Sequence, residues 1–460
     1  MTTVGQRGRR AVGRRCAGRL LTLSLLPLSL AAALPAQSDR RCLLALEHAD
    51  HSAHTRVTDE IRNDYFGGNV RYRCRGQNVR MWTDSVASYQ GQVVYFVGNF
   101  RFEDEQSQVT SDFGTYYKDN ERWEARGNVV YTDKLDGSTL RGPMVDYFRG
   151  IRGTARTERE IFAGQRPVLT VAVRDTLGRP EAPYLVVADR IRMRGDHEMW
   201  AGGRVTIDRT DLAGRSDSLA LDTGERGNGF LIGTASIFRP AADSFRLSGR
   251  QIDLALERKQ LTYITGRDSA MLTGRDLDLD ASTIGLDLEA QKVVQTLAWG
   301  TGPGRPVARA DEYQIRADSL AIDTPDEQLR ELRAFRQAWV GFKPDTLGGD
   351  RDYVAGDSIT AVFAGDSAEG GKPALRSLDS RGSARSFYRL APAPGAGGAA
   401  PMSYNRANRI LLTMTGTDSL KVEKVQMYGT VDGIQLNPAP VRADTARRDT
   451  TGAARRPRTR

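Results

Sequence analysis

Few side chains in this chain have the types and spacing that chemistry requires, and the histidines are the first of them. His48, His51 and His54 recur at intervals of three residues, with Glu47 and Asp50 nearby. On a helix these side chains would lie along one side, so a metal cluster is conceivable. No further ligand set accompanies them, although metal sites need several ligands of defined spacing. We therefore interpret them as chance histidines of an N-terminal segment and expect no metal.

The other acid–base candidates are isolated as well. His197 follows Gly195 and Asp196 in a turn-like run, which favours a solvated turn residue. Residues 276–280 (DLDLD) resemble the start of a calcium loop, but Ala281 stands where such a loop needs glycine. Their alternation favours a strand with an acidic outer face. Because no nucleophile motif, phosphate loop or zinc-ligand set stands out, we expect neither an enzyme nor a cofactor.

The net charge of +9 would suit a nucleic-acid-binding protein only if it lay on the folded body. Six arginines stand in residues 1–36, and residues 441–460 carry a net charge of +5. Residues 37–440 therefore hold a net charge of about −2. Such a body has no basic surface for phosphates, so we expect no nucleic acid as a partner. The tail is expected to be disordered and solvated, with contact to anionic headgroups or sugars as the alternative.

Residues 1–36 have the layout of a secretory signal peptide. Arginines without acids precede an apolar run from Leu20 to Leu34, and Pro35-Ala36-Gln37 offers a small-residue cleavage site. Pro27 and the short apolar core argue against a membrane-spanning anchor, which is the alternative. We therefore expect a periplasmic protein, secreted across the inner membrane, with association to the outer membrane left open.

Two cysteines remain once the leader, with Cys16, is set aside. Cys42 and Cys74 would then stand in a compartment where a disulfide persists. Such a bond would attach the N-terminal segment to the first repeat. With a single candidate pair, the bonded and the free forms both stay open.

A repeated phrase organises the rest of the chain. Gly68-Asn69 returns as Gly98-Asn99 and as Gly127-Asn128, at intervals of about 30 residues. Gly and Asn tolerate positive backbone angles, so each pair is predicted to form a tight turn. The residues that follow alternate, as in Val70-Arg71-Tyr72, which is typical of a half-buried strand. Self-similarity at this period predicts an all-β repeat protein.

A second phrase begins with aspartate. Asp217, Asp318 and Asp357 each precede apolar residues at even spacing, so they are predicted to share a strand face with them. An unpaired carboxylate deep in an apolar core would be costly. We therefore predict that each aspartate lies at the mouth of its strand and caps turn amides. A solubilising charge at a sheet edge is the alternative.

The repeats divide the chain into regions. They are clearest at the start, resume after a proline-containing interruption at 164–183, and are too degenerate over 245–300 to place strands. Only 325–339 has any helical character. The predicted division is a leader 1–36, an N-terminal segment 37–60, repeat regions 61–163 and 184–388, a Pro/Gly/Ala-rich loop 389–403, a final β segment 404–437 and the basic tail 438–460.

The first repeats resemble a known family. The runs GNVRYRCRGQNVRMWTDSVASY and GNFRFEDEQSQVTSDFGTYYKDNERWEARGNVVY are similar to the OstA-like repeats of the lipopolysaccharide-transport protein A family. The same repeats form the N-terminal periplasmic domain of the outer-membrane lipopolysaccharide-assembly protein. The similarity is strong over 61–153, fair over 184–237 and 311–363, and weak elsewhere.

The resemblance implies an elongated, twisted, V-shaped β-jellyroll (β-taco) whose apolar trough carries lipid A acyl chains across the periplasm. It also implies strand-edge joining to other OstA-like domains, namely inner-membrane and outer-membrane transport partners, with a homo-oligomer left open. The chain departs from the family in its length and basic tail, and it shows neither a large C-terminal barrel sequence nor a convincing retained anchor. Its place in the bridge is therefore not defined.

We accordingly expect a non-enzymatic periplasmic carrier or bridge for lipopolysaccharide or a similar amphiphile. A structural β-solenoid envelope scaffold with a sealed core is the alternative, and a polysaccharide-acting β-helix enzyme is disfavoured. Composition does not choose between an open trough and a packed core. The interior-facing residues expected to contact lipid are Val70, Tyr72, Val86, Phe100, Phe102, Tyr116, Val129, Tyr131, Ile191, Met193, Val205, Ile207, Leu219, Leu221, Leu320, Ile322, Ile359 and Phe363.

Overall fold

Antiparallel β-strands make up nearly all of the chain that the structure describes. The computed structural model describes residues 42–151, 154–175, 177–240, 245–342, 351–364, 373–389, 401–415 and 421–437. The leader, the tail and residues 390–400 of the predicted loop lie outside the described residues. The described residues belong to one compact unit, and the only helices in them are two 3-10 turns, Gly302–Gly304 and Pro325–Glu327. The all-β class is therefore confirmed.

Alternation of apolar and polar side chains is the local reason for the strands, since it gives each one a buried and an exposed face. In chain order they are β1 (Leu44–His48), β2 (His51–Arg56), β3 (Arg62–Cys74), β4 (Arg80–Tyr89), β5 (Val93–Glu103), β6 (Ser107–Tyr117), β7 (Arg122–Asp133), β8 (Thr139–Phe148), β9 (Glu160–Gly164), β10 (Val168–Arg174), β11 (Pro180–Val187), β12 (Arg190–Arg194), β13 (Glu198–Asp208), β14 (Ala213–Asp222), β15 (Arg226–Phe238), β16 (Arg246–Glu257), β17 (Gln260–Thr273), β18 (Asp278–Glu289), β19 (Lys292–Trp299), β20 (Val307–Arg309), β21 (Tyr313–Arg316), β22 (Ser319–Asp323), β23 (Glu331–Phe342), β24 (Tyr353–Ala364), β25 (Ala374–Arg389), β26 (Met402–Thr415), β27 (Lys421–Tyr428) and β28 (Asp432–Leu436).

These strands form one hydrogen-bonded ladder folded into two layers. From β3 to β8, β13 to β18 and β23 to β26, each strand pairs antiparallel with the next. The register of nearly every long pair shifts once near mid-strand, and there the strand passes from the first layer into the second. The first layer contains β9, β12, β19, β22 and β27, and the second contains β10, β11, β20, β21 and β28.

At some bends the pairing stops altogether, and one long strand becomes two short ones. β9 and β10 pair with opposite halves of β8, and β12 and β11 do the same with β13. Because β9 also pairs with β12 and β10 with β11, the six strands form a closed ring of pairings. The predicted interruption at 164–183 is therefore wrong, since these residues hold β10 and the start of β11.

The bend itself is a two-residue bulge. Gly98 and Asn99 have φ values of 81° and 46° and lie in the middle of β5, where they oppose the single residue Asp84 of β4. Two residues against one is the defining feature of a β-bulge, which bends its strand sharply. The predicted positive backbone angles are confirmed, but the predicted turn is wrong, because each Gly-Asn pair is a mid-strand bend and not a hairpin end.

Each Gly-Asn bend is held by an aspartate opposite it. Asn99 donates its side-chain amide to Asp84 at 2.8 Å, and Asn128 and Asn69 donate to Asp112 and Asp50 at 2.9 Å. The Asn69 hydrogen bond lowers the pKa of Asp50 below its usual value. We call this arrangement the Asp–Gly–Asn corner.

The predicted position at a strand mouth is wrong for Asp217 and Asp357, although Asp318 does directly precede β22. The extra residue in the bulge shifts the side-chain alternation of the facing strand by one, so Thr83 and Val86 are buried whereas Asp84 between them is exposed. Asp217 and Asp357 are exposed in the same way. The carboxylates thus lie on the outside of the bend, mid-strand, and do not share the apolar face.

A buried hydroxyl before the aspartate completes several corners. Thr83 donates to the carbonyl oxygens of Val97 at 3.0 Å and Gly98 at 2.8 Å, and Ser111 donates to the carbonyl of Phe113 at 2.7 Å. Bulging removes these carbonyls from regular pairing, and buried polar groups need partners. The Thr-Asp and Ser-Asp pairs carried this signal in the sequence, which periodicity alone did not reveal.

One further prediction about the chain's organisation is wrong, and two stretches that the sequence left undecided take a definite form. The N-terminal segment 37–60 is not separate from the repeats, because β1 and β2 pair with β3 and bend at Asp50 like any other strand. Residues 245–300 form four regular strands, β16 to β19. Residues 325–339 contain a 3-10 turn and the start of β23, not a longer helix.

Substituting the corner glycine tests how tightly the Asp84 side chain packs against Gly98. A Cβ on Gly98 would overlap the Asp84 carboxylate, whereas a Cβ on Gly91, with φ of 65°, meets no atom within 4 Å. We expect Gly91→Ala to lower the free energy of unfolding by about 1–2 kcal/mol from its backbone angle. Gly98→Ala should cost about 1–3 kcal/mol more through overpacking. Urea titration followed by tryptophan fluorescence measures both.

The same overlap predicts a rescue. In an Asp84→Ala background, Gly98→Ala should cost no more than Gly91→Ala does. If the two glycine substitutions lower the free energy of unfolding equally in the original chain, the Asp84 side chain can move aside without loss. The corner then does not depend on the position of Asp84.

Candidate functional site

The space between the two layers is the candidate site, and all eighteen predicted residues lie there. Fifteen are buried, and Met193, Ile207 and Leu221 are partly buried against the same apolar cluster. The predicted facing of the first repeat is confirmed, because Val70 and Tyr72 are buried and Arg71 is exposed. These positions line one continuous interior, whose contact with lipid stays a prediction.

Aromatic rings fill the N-terminal part of this interior. The rings of Tyr116 and Trp123 stack with centroids 4.3 Å apart, and Trp123 lies 5.0 Å from Phe102 in the facing layer. Phe96 and Phe102 are about 1% exposed. Pattern reasoning did not include Trp123 or Phe96, although both lie just before a Gly-Asn bend and Phe96 stands between the exposed residues Tyr95 and Val97. This part of the interior is a packed core.

Farther along the chain the interior contains cavities. One of about 50 Å³ has an almost wholly apolar wall that includes the predicted residues Ile207, Leu219 and Leu221. A larger one of about 360 Å³ has a floor that includes Leu286 and the predicted residue Ile322. Its volume falls in the range of about 300–1,000 Å³ that ligand pockets occupy. The predicted residues therefore divide into packed and cavity-lining sets.

A third cavity lies beside the second. It has a volume of about 540 Å³ and is lined by residues 274–278, 309–313 and 373–375. Loop 274–277 borders both cavities, with Arg275 and Asp276 in both walls. The interior is thus loosely closed over this part of the chain.

Opposite the corners, the hairpin loops of the two layers face each other along a line that we call the rim. Arg159, on the first-layer side, donates to the Tyr131 hydroxyl at 2.8 Å and to the Asp133 carboxylate on the second-layer side. It also binds Asp196 at 2.9 Å, and its side chain is only 4% exposed. Arg159 thereby joins the two layers through a buried ion pair.

Other bridges cross the rim at intervals. Tyr147 donates to Asp104 at 2.7 Å, and Lys259 binds Asp136 at 2.7 Å. Arg149 donates to Gln77. In the N-terminal part these polar contacts hold the layers together above the aromatic core.

The disulfide left open by the sequence is formed. Cys42 and Cys74 are bonded, with Cα atoms 5.0 Å apart. The Cys42 amide donates to the buried carboxylate of Glu121 at 2.6 Å, and Tyr116 donates to the Cys42 carbonyl at 3.3 Å. The disulfide therefore fixes the start of β1 beside β3, and the two hydrogen bonds join this end of the ladder to the other layer across the rim.

Arg159 and Asp136 are charged at neutral pH. Burial lowers the pKa of the Arg159 guanidinium, but the neighbouring Tyr131 and Asp133 outweigh it and raise the pKa. Burial raises the pKa of Asp136, but hydrogen bonds from Lys259 and the Ser138 amide outweigh it and lower the pKa. Burial also raises the pKa of Tyr131, which keeps its hydroxyl protonated.

The remaining sequence candidates do not form a chemical site. His48, His51 and His54 are exposed on β1 and β2, and His197 is exposed in a turn. Over residues 276–280 the chain enters β18 with Leu279 buried, as the alternation predicted. Among the described residues, no three or more His, Cys, Asp or Glu side chains are grouped so as to hold a metal. None of the described helices is long and apolar enough to cross a membrane.

Comparison with known proteins adds no relative. No protein-family model matches the chain, and no curated protein matches it. The chain folds as a many-stranded, two-layer β protein with an apolar interior.

Removing the buried cation of the rim should destabilise the fold. Arg159→Met leaves Asp133 buried without its counterion, and we expect the free energy of unfolding to fall by about 3–5 kcal/mol. Arg101→Met is the control, because Arg101 forms an exposed pair with Glu103 that should contribute about 0–1 kcal/mol. Urea titration compares the two variants.

A double variant separates charge from packing. Replacing both members, in Arg159→Met with Asp133→Leu, should recover most of the loss, since no buried charge is then left alone. If Arg159→Met costs no more than Arg101→Met, the rim bridge does not hold the layers together.

Proposed function

We propose that this protein binds the acyl chains of lipopolysaccharide or a similar amphiphile between its two layers and carries them across the periplasm without enzymatic chemistry. The observation that carries this proposal is the pair of apolar-floored cavities at predicted interior-facing positions, Leu219 and Leu221 in one and Ile322 in the other. Burying an acyl chain there would contribute about 0.8 kcal/mol per CH₂ group.

The fold suits such a ligand because its backbone is already hydrogen bonded. Every described strand pairs within the ladder, so the surface that an entering chain meets between the layers is made of side chains. Entry requires the layers to part at the rim while the corners keep each strand continuous. The rim bridge at the cavity of about 360 Å³, Arg239 with Glu327, is partly exposed, which supports entry in the middle of the ladder.

Partners would join at the strand edges. β27 and β28 each pair only with β26 among the described strands, which leaves their outer edges open. Ile434 and Leu436 on β28 are 61% and 58% exposed. Open edges with exposed apolar side chains accept added strands, so another OstA-like domain, or a second copy, is the proposed partner.

A structural scaffold with a sealed core is the second candidate. The aromatic cluster around Trp123 and the buried Arg159 bridge favour it, because they fill and close the N-terminal interior. The two functions differ in one property, since a sealed core retains no amphiphile.

Photo-crosslinking at three positions tests the acyl-binding proposal. A photoreactive residue at Leu221, in a cavity wall, should capture lipid in cells. The same residue at Phe102 should capture little, because Phe102 is packed among rings, and at the exposed Phe113 it should capture none specifically. Native mass spectrometry of the purified chain should show retained amphiphile. If the fold is intact but no lipid is crosslinked at Leu221 and none appears in the mass spectrum, the sealed scaffold is established.

The edge proposal has its own test. Lysines at Ile434 and Leu436 should abolish self-association or binding to an isolated OstA-like domain, because charged edges resist strand addition. Phe113→Lys is the matched control, since Phe113 is 52% exposed within a sheet and not at its edge. Sedimentation velocity measures both, and equal losses in the two variants would rule out edge joining.

A further inference from the structure

The cavity of about 360 Å³ has an arginine fixed at its rim. Arg239 follows β15, with its guanidinium 5.9 Å from the Phe245 ring centroid and a hydrogen bond to the Gln291 carbonyl at 2.8 Å. Its side chain is 20% exposed. Both contacts belong to the cavity's own surroundings, so this cation is held in place beside the apolar floor.

The remaining partner of Arg239 is a carboxylate on a turn. Glu327 forms an ion pair with Arg239 across the rim, and its side chain is 36% exposed. Asp326 and Glu327 have φ values of 55° and 62°, in the left-handed region that costs non-glycine residues energy. Glu327 is thus the exchangeable member of the pair, because its turn could leave the left-handed backbone conformation once Glu327 separates from Arg239.

The other charges near the cavity do not compete for this arginine. Asp276 pairs with the adjacent Arg275 at 3.1 Å. Asp326 lies on the same turn as Glu327 and would move with it. When the turn moves, the cavity of about 360 Å³ is left with the Arg239 guanidinium free of its carboxylate partner, while Arg275 keeps Asp276.

We infer that this cavity binds an amphiphile with an aliphatic chain and an anionic headgroup, a carboxylate or a phosphate, which replaces Glu327 as the partner of Arg239. The chain lies on Leu272, Leu286, Val293 and Ile322, and the headgroup stays at the rim. Guanidinium groups bind carboxylates and phosphates with two parallel hydrogen bonds, which supplies selectivity for the anion. This inference rests on the proposed function and adds the headgroup class and the residue that selects it.

Binding of four twelve-carbon probes to the full chain tests the inference. Dodecanoate, dodecyl phosphate, dodecanol and dodecyltrimethylammonium are compared below their micelle concentrations by isothermal titration. We expect the two anions to bind more tightly than the alcohol, and the cation most weakly. The stronger of the two anions identifies whether a carboxylate or a phosphate is preferred.

Two variants should act in opposite directions. Glu327→Gln removes the internal competitor and should tighten binding of the anions several-fold. Arg239→Gln should weaken it about tenfold or more, the scale of a lost charged hydrogen bond, and abolish the headgroup preference. Arg239→Lys keeps the charge, so its affinity for the anions should lie between those of the original chain and Arg239→Gln. Glu331→Gln is the control, because Glu331 pairs with Arg333 and does not line the cavity.

The contrary results are distinct. If Glu327→Gln and Arg239→Gln both tighten binding of all four probes, the pair is only a closure of the rim and the inference fails. If the probes bind without headgroup preference and neither variant changes their affinity, the inference fails while the proposed function stands. If no probe binds any variant that keeps the circular dichroism of the original chain, both fail.

Discussion

The fold depends on one constraint: a long antiparallel strand must change direction at mid-length without losing its neighbours. A bulge of two residues against one supplies the bend, but it requires positive φ and removes carbonyls from regular pairing. Asp84, Asn99 and Thr83 meet both demands locally, by side-chain hydrogen bonds across the bend. Because each corner is satisfied by its own strand pair, the ladder can be extended one hairpin at a time.

Once the strands bend together, the interior and the rim follow. Phe96 and Phe100 are four residues apart, an even spacing. The bulge therefore leaves Phe96, Phe100 and Phe102 on the same inner face of β5 on both sides of the corner. Large rings at such positions fill the space between the layers, and aliphatic side chains such as Leu219 and Leu286 leave part of it empty. The same architecture therefore yields a packed core in one part and cavities in another, according to side-chain volume alone.

Sequence periodicity identified the all-β class and every interior residue it named, because alternation survives a two-residue bulge. It misplaced the aspartates, since the facing strand shifts by one residue and Asp84 moves outward. It also missed the corners of β17 and β23, where Asp268-Ser269 and Arg336-Gln337 take positive φ without any glycine. Rim contacts such as Lys259 with Asp136 join residues 123 positions apart, and no local pattern encodes them.

The rim must hold the layers together and also let them part if a ligand enters, and its charges satisfy these demands unequally. Arg159 is buried, so separating it from Asp133 would leave two unpaired charges in an apolar environment, at a high cost in free energy. The pair of Arg239 and Glu327 is partly exposed, so water and ions can take over from either partner at little cost. The energy needed to separate the charges of the rim is therefore lower at Arg239, beside the cavity of about 360 Å³, than at Arg159.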